Sequence, residues 1–227
     1  IMATSIAMLR ASDTKLPDFV AGHSLGEYTA LCAAGALSVG DAAKLLRIRG
    51  NAMQNAVPVG DGLTAVILGL DIDAVRKICA ETECDVANDN CPGQVVISGL
   101  RGVVEKTIQI AKEQGAKRAM PLALSVPVHC RVQASAADVM RDALETVEFK
   151  KPIVPIILNK TCMPTQNVDE IKDALVYQMT HGVRWRESVL EMEKLGITEQ
   201  IEVGPGNVLT GLCSRITDKI TAKKLEI

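Results

Sequence analysis

Aromatic residues are nearly absent from this chain of 227 residues, which holds one Trp, two Tyr and two Phe. Because 48% of the residues are hydrophobic, aliphatic side chains, alanine and methionine must build the core. No apolar run is long enough to span a bilayer, which disfavours a membrane protein. The apolar opening IMATSIAML has no basic segment before it and no small-residue cleavage site after it. We interpret it as a helix rather than a signal peptide.

An excess of charge of one sign is also lacking. The formal net charge is −2, and acidic and basic residues are mixed along the chain. This balance disfavours proteins that bind nucleic acid and proteins that bind a membrane surface. The length suits one globular domain, or one domain that carries a smaller insert.

Paired cysteine motifs are missing as well. The seven cysteines are odd in number and irregular in spacing, and no CxxC pair occurs. With no secretion signal, we expect reduced cysteines in a cytoplasmic protein, most of them acting as small buried hydrophobic residues. The spacing favours no metal site, and none is predicted.

Apolar strands and helices alternate at both ends of the chain. The predicted strands are 16–21, 152–159 and 199–203, and the predicted helices are 25–36, 41–57, 134–148, 185–195 and those that begin after Asn167 and at Val208. Such alternation is typical of an α/β sheet domain. Between them, the order strand, helix, strand, strand, helix, strand indicates a ferredoxin-like subdomain, with NDNCPG as its central turn. We therefore predict a core formed by 1–59 and 128–227 and a subdomain at 60–127.

A serine stands between two glycines in AGHSLGEYTALCAAGALS. The stretch Gly22-His23-Ser24-Leu25-Gly26, between a predicted strand and a predicted helix, has the pattern of a nucleophile elbow, which exposes the serine hydroxyl. Side chains two residues before and two residues after Ser24 are expected to collide with neighbouring elements. The N–H of Leu25, at the helix N-terminus, is the natural oxyanion donor. The alternative is a tight turn in which the serine only caps the helix.

A serine nucleophile needs a base, and the chain contains three histidines. His23 adjoins Ser24 in the turn, so its ring is expected to point away. His129 follows an apolar strand in LSVPVHC, and His181 follows a helix in MTHGVRW. The pattern favours His129 as the base and leaves His181 as the alternative. No aspartate can be assigned by spacing as the third member of a triad.

An arginine interrupts the apolar face of the helix predicted over 41–57. Arg49 lies in the middle of the apolar stripe that consists of Ala42, Leu45, Leu46, Met53 and Ala56. An arginine on such a face is costly unless an anion meets it. The anion is either an internal Asp or Glu, or the carboxylate of a substrate held by two hydrogen bonds.

Five stretches of the chain, taken in order, resemble those of a known family. They are GHSLGEYTAL, RIRGNAMQ, NDNCPGQVVISG, SVPVHC and EVGPGNVLTGL. Together they closely resemble the malonyl-CoA:acyl-carrier-protein transacylases of bacterial fatty-acid synthesis, and the resemblance covers essentially the whole chain. The same fold serves as the acyltransferase domain of polyketide synthases. The resemblance implies an α/β-hydrolase-like core with a parallel sheet and an inserted ferredoxin-like subdomain.

The resemblance also implies roles for particular residues. Ser24 would be the nucleophile, His129 the base and Arg49 the clamp for the malonyl carboxylate. The backbone carbonyl of Gln178 would orient the histidine in place of an aspartate. The remaining substrate-site residues are implied to be Asn90, Met53 and Val128, the last standing where Ser or Phe is expected in the family.

The implied reaction is a double displacement through a malonyl ester on Ser24, from malonyl-CoA to the phosphopantetheine thiol of acyl carrier protein. No bound cofactor or metal is implied, and the protein is expected to be a cytoplasmic monomer. Two alternatives stay open: a serine thioesterase or hydrolase, and a truncated inactive fragment that binds acyl-CoA. The second rests on the expectation that the family's first strand and its GQGSQ-type loop, which supplies a second oxyanion N–H, belong before Ile1.

Overall fold

Helices and strands alternate through residues 1–226, the part of the chain that the computed structural model describes. The helices are α1 (Met2–Ala11), α2 (Gly26–Ala33), α3 (Val39–Ala56), α4 (Ile72–Thr82), α5 (Arg101–Glu113), α6 (Ala134–Glu145), α7 (Val168–Thr180), α8 (Trp185–Lys194) and α9 (Val208–Ile216). The strands are β1 (Val20–Ala21), β2 (Gly62–Leu68), β3 (Asp85–Cys91), β4 (Gln94–Leu100), β5 (Arg118–Pro121), β6 (Ile156–Ile157), β7 (Pro164–Thr165), β8 (Glu199–Glu202) and β9 (Thr221–Lys224). Within residues 1–226, no helix is both long enough and apolar enough to cross a bilayer.

The strands form three sheets. β1 pairs in parallel with β6, with Val20 opposite Ile156, and β7 adds an antiparallel partner to β6. β8 and β9 form a separate parallel pair. The four strands between α3 and α6 form an antiparallel sheet in the order β3-β4-β2-β5. With α4 and α5 between its strands, this sheet has the ferredoxin-like arrangement, so the predicted α/β fold with such an insert is confirmed.

Three hydrophobic clusters fill the interior, and aliphatic residues dominate each of them. The largest packs α1, α2, α3, α6 and α7 around β6. The insert has its own core between its sheet and its two helices. A third cluster surrounds Trp185 and joins α8 and α9 to the end of β3. All seven cysteines are free, and six of them are buried, as small hydrophobic residues should be.

Several strands are shorter in the structure than the sequence predicts. Residues 16–19 and 152–155 lie outside β1 and β6, because Pro17, Pro152 and Pro155 lack the N–H that a ladder needs. The segment NDNCPG is mostly strand rather than turn, since β3 runs to Cys91 and only Pro92 and Gly93 connect it to β4. The asparagines of this segment are typical of a turn in sequence, which explains the wrong prediction. In the structure they are buried, and Asn90 is hydrogen-bonded to the ring of His23.

The turn between β1 and α2 brings Gly22 against the backbone of Gly26. A Cβ on Gly22 would lie 1.9 Å from the carbonyl carbon of Gly26, so only glycine fits. A Cβ on Gly26 would meet no described atom within 4 Å, so the expectation that both positions collide is wrong for Gly26, which faces open space. Between them Ser24 has a φ of 54°, in the left-handed region that non-glycine residues seldom adopt.

This difference between the two glycines predicts opposite results for two equal substitutions. Gly22→Ala is expected to lower the free energy of unfolding by on the order of 4 kcal/mol or to prevent folding, because backbone must move to admit the methyl group. Gly26→Ala, in the first turn of α2, is expected to change it by about 1 kcal/mol at most. Denaturant unfolding of both variants checks this. Equal losses would contradict the close approach at Gly22.

Candidate active site

The structure brings Ser24 and His129 together across 105 residues of sequence. The Ser24 Oγ lies 2.7 Å from the His129 Nε2, and the His129 Nδ1 lies 2.5 Å from the backbone oxygen of Gln178. A carbonyl oxygen can only accept, so the Nδ1 must carry the proton. The Nε2 lone pair therefore faces the serine hydroxyl, which is the tautomer that a general base requires.

His129 is buried, and its environment keeps the ring neutral. Burial first, and then the positive charge of Arg49, lower its pKa to about 3. The carbonyl of Gln178 acts in the opposite direction, since it stabilises a charged ring. At neutral pH the imidazole is consequently unprotonated and can accept the serine proton.

The insert holds the segment that carries His129 from both sides. The N–H of Val128 donates to the Ser98 Oγ at 2.9 Å, and the N–H of Arg131 donates to the Asp85 carboxylate at 2.8 Å. Ser98 and Asp85 are themselves opposite each other on β4 and β3. His129, between them, has a φ of 54°, so this clamp maintains a backbone conformation that is costly by itself.

The side chain of Asn159 holds the elbow through two hydrogen bonds to its backbone. The Asn159 Oδ1 accepts the N–H of Ser24 at 2.8 Å, and the Asn159 Nδ2 donates to the oxygen of Gly22 at 2.7 Å. The N–H of Leu25 has no hydrogen-bond partner within residues 1–226. Leu25 therefore keeps a donor free at the start of α2, where negative charge on an attacked carbonyl oxygen would develop.

Arg49 reaches the same place from α3. Its side chain is buried, with one nitrogen, Nη2, 3.1 Å from the Ser24 Oγ and 3.2 Å from the Gln178 Oε1. The Nε is buried without a partner among the described residues, and the guanidinium forms no ion pair with an acid of residues 1–226. The internal Asp or Glu contact that the sequence left open is therefore not made directly. A buried cation with unused donors remains beside the serine.

The other residues predicted for the site lie around this centre. The Asn90 Oδ1 accepts a hydrogen bond from the His23 Nε2 at 2.9 Å, so His23 points away from Ser24 as expected. Asn90 thus contacts the elbow through that ring. Met53, one turn beyond Arg49 on α3, packs in the largest cluster, and Val128 is half-buried against it. Their contribution to acyl selection remains a prediction.

His181 lies apart from the serine. It is exposed at the end of α7, where its ring stacks on Tyr177 at 3.7 Å and its Nδ1 meets the Thr180 hydroxyl at 2.9 Å. These contacts are of the kind that an ordinary surface histidine makes. The geometry thus supports His129 over His181 as the base.

Two residues of this centre were not found from the sequence. Glu27, in the first turn of α2, is fully buried, and Asn159 follows the apolar run of β6. Glu27 shares a helical face with Ala30, Leu31 and Ala34, all buried, so the reasoning that selected Arg49 also selects Glu27. Asn159 carries no comparable signal, because a polar residue after a strand is an ordinary loop residue.

A serine on a strained elbow, bonded to a histidine that a carbonyl orients, defines a serine-dependent acyltransferase on an α/β fold. A family model described as the acyl transferase domain matches residues 1–224. The chain belongs to the family of malonyl-CoA:acyl-carrier-protein transacylases, as the following comparisons show.

Relatives of this name cover the chain almost completely. The malonyl CoA-acyl carrier protein transacylase of Escherichia coli (strain K12) is 43% identical over 232 residues, which span 99% of this chain and 75% of that protein. The one from Bacillus subtilis (strain 168) is 42% identical, over 97% and 72%.

Solved structures agree with the sequence comparison. The acyl-carrier-protein S-malonyltransferase of Bartonella henselae superposes with a TM-score of 0.95 at 45% identity, over 100% of this chain and 75% of that one. A malonyl-transacylase solved in complex with a type II polyketide synthase acyl-carrier protein superposes with a TM-score of 0.95 at 41% identity, over 98% and 74%.

The two placements of histidine predict unequal losses of activity. His129→Ala is expected to lower the rate of acyl-serine formation by several orders of magnitude, because the base that contacts the Ser24 hydroxyl is lost. His181→Ala, the matched control, should leave the rate within a few-fold. Single-turnover acylation with malonyl-CoA measures both. A larger loss in His181→Ala would show that the base is assigned to the wrong ring.

Proposed function

We propose that this chain transfers a malonyl group from malonyl-CoA to the phosphopantetheine thiol of acyl carrier protein, through an ester on Ser24. The observation that carries the proposal is the buried guanidinium of Arg49, which lies 3.1 Å from the Ser24 Oγ and forms no ion pair with an acid of residues 1–226. A malonyl group has a free carboxylate close to its reacting carbonyl. The names of the relatives and the solved complex with an acyl-carrier protein support the same reaction.

In the first half-reaction, the Ser24 hydroxyl gives its proton to the His129 Nε2 while the Oγ attacks the thioester carbonyl of malonyl-CoA. The N–H of Leu25 donates to the carbonyl oxygen as it gains negative charge. When the carbon–sulfur bond breaks, the imidazolium returns the proton to the sulfur of CoA. The products are the malonyl ester on Ser24, free CoA thiol and a neutral histidine.

The second half-reaction repeats these steps with a new nucleophile. The phosphopantetheine thiol gives its proton to the His129 Nε2, and its sulfur attacks the ester carbonyl. The ester bond breaks, and the Ser24 Oγ takes the proton back from the ring. The malonyl group leaves as a thioester of the carrier protein, and the free enzyme is restored.

Arg49 gives this reaction its selectivity. A malonyl carboxylate can accept two hydrogen bonds from the guanidinium, which fixes the acyl group relative to the elbow. A thioester without a carboxylate leaves donors of the buried guanidinium without a hydrogen-bond partner, which costs free energy that a malonyl group does not incur. Asn90, Met53 and Val128 complete the acyl site in this proposal.

The remaining parts of the proposal concern the state of the protein. We place it in the cytoplasm as a monomer that needs no resident metal or cofactor, with malonyl-CoA and acyl carrier protein as its two substrates. The free cysteines support a reducing compartment.

Labelled malonyl-CoA tests the reaction directly. We expect the label on the peptide that holds Ser24, located by mass spectrometry, and its movement to acyl carrier protein when this is added. Ser24→Ala is the matched control and should take up no label. Label released as free malonate, in place of transfer, would identify a hydrolase, and the absence of any acyl-enzyme would refute the proposal.

Arg49 supplies a second prediction, on the ratio of kcat/KM for malonyl-CoA to kcat/KM for acetyl-CoA. Arg49→Ala is expected to lower this ratio by roughly 10²–10⁴-fold, since the loss of one partner of a buried charge pair costs roughly 3–5 kcal/mol. Arg47→Ala, on the exposed face of the same helix, is the control and should leave the ratio unchanged. An equal fall for both thioesters, with a lower melting temperature, would give Arg49 a structural role instead.

A further inference from the structure

Arg49 is connected to an acid, Glu27, through the side chain of Gln178. We propose that Glu27 is a positioning residue, the internal counter-ion of Arg49, which Gln178 holds one amide away so that the guanidinium keeps N–H groups free for a substrate carboxylate. This inference rests on the proposed function and deepens it. It assigns to a residue of α2 part of the selectivity for a dicarboxylic acyl group.

The hydrogen bonds of Glu27 favour its ionised form. The side chain is fully buried, its Oε1 accepts the N–H of Asn159 at 2.6 Å, and its Oε2 accepts from the Gln178 Nε2. Both oxygens therefore face donors. A protonated carboxyl group would direct its own hydrogen at one of them, so these contacts stabilise the negative charge.

Gln178 connects this charge to Arg49 without consuming the guanidinium. Its Nε2 donates to Glu27, and its Oε1 accepts a single hydrogen bond from Arg49 at 3.2 Å. A direct carboxylate contact would engage the guanidinium with two parallel bonds. The amide in between fixes the guanidinium and leaves its buried Nε unused. The cation is thus balanced in charge but remains available for a ligand.

Few titratable groups surround Glu27. Arg49 approaches it from α3, and Tyr28 follows it on α2. His129 bonds to the backbone of the same Gln178, while the contacts of Glu27 with α7 and with the segment after β6 are to amide N–H groups. The only charged residue of α1 is Arg10, which lies near Cys32 at the far end of α2. Burial raises the pKa of Glu27 to about 7, although both amide donors and Arg49 oppose the shift.

A malonyl carboxylate on Arg49 adds a second negative charge to this buried group. The pKa of Glu27 must then rise further, so a site that was partly ionised takes up a proton when the malonyl ester forms. By linkage, the malonyl group is held more tightly as the pH falls through the range in which Glu27 is ionised. An acetyl group adds no charge and has neither effect.

The test is proton uptake during the first half-reaction, without carrier protein, measured by stopped flow with a pH indicator. Ester formation balances by itself, because the Ser24 proton ends on the CoA thiol. At pH 7 a group with a pKa near 7 is half ionised, so Glu27 can take up at most about 0.5 proton. We therefore expect malonyl-CoA to cause uptake of up to about 0.5 proton per site at pH 7. Acetyl-CoA should cause none. The KM for malonyl-CoA, relative to that for acetyl-CoA, should fall from pH 8 to pH 6.

Variants assign the proton to its group. Glu27→Gln and Arg49→Ala should each abolish the uptake specific to malonyl-CoA, and Glu145→Gln, which alters an exposed acid, should retain it. Uptake that persists in Glu27→Gln would belong to His129 and overturn the inference, as would equal uptake with both thioesters. If Glu27→Gln does not fold, wild type alone can still overturn the inference, by showing no uptake with malonyl-CoA. If malonyl-CoA leaves no ester on Ser24, the proposed function fails instead.

Discussion

The close approach of Gly22 to the backbone of Gly26 determines the position of the three groups that the elbow and the first turn of α2 bring to the site. That turn has no room for a Cβ on Gly22, and α2 begins at Gly26, two residues after the serine. Ser24 then lies at the turn, the N–H of Leu25 has no partner among the described residues, and Glu27, two positions after Leu25, is buried in the interior. Nucleophile, oxyanion donor and buried acid thus follow from one steric constraint.

Gln178 joins the two halves of the proposed chemistry. Its backbone oxygen fixes the tautomer of the base, and its side chain links Arg49 to Glu27. A displacement of this residue would alter proton transfer and acyl recognition together. A backbone carbonyl can orient the histidine without adding negative charge, so that the negative charge of Glu27 balances the Arg49 cation.

The sequence was most informative where a local pattern has one physical cause. The elbow, the cap of α7 at Asn167 and the arginine on the apolar face of α3 could all be found this way, and so could the order of elements in the insert. The asparagines of β3 led to the wrong prediction of a turn, because Asn88 and Asn90 are hydrogen-bonded to His23, which is distant in sequence. Asn159 and the carbonyl of Gln178 give no local signal at all, since each acts on a residue more than 45 positions away.

The two hydrogen bonds that clamp the His129 segment link the active site to local opening of the insert. The amides of Val128 and Arg131 are bonded to side chains of the insert, which has a hydrophobic core of its own. A transient opening of the insert would release both amides while the larger cluster stays folded. Competence for acyl transfer is then lost by partial unfolding of the insert. Protection of these two amides from hydrogen exchange should follow the stability of the insert rather than that of the helices around the serine.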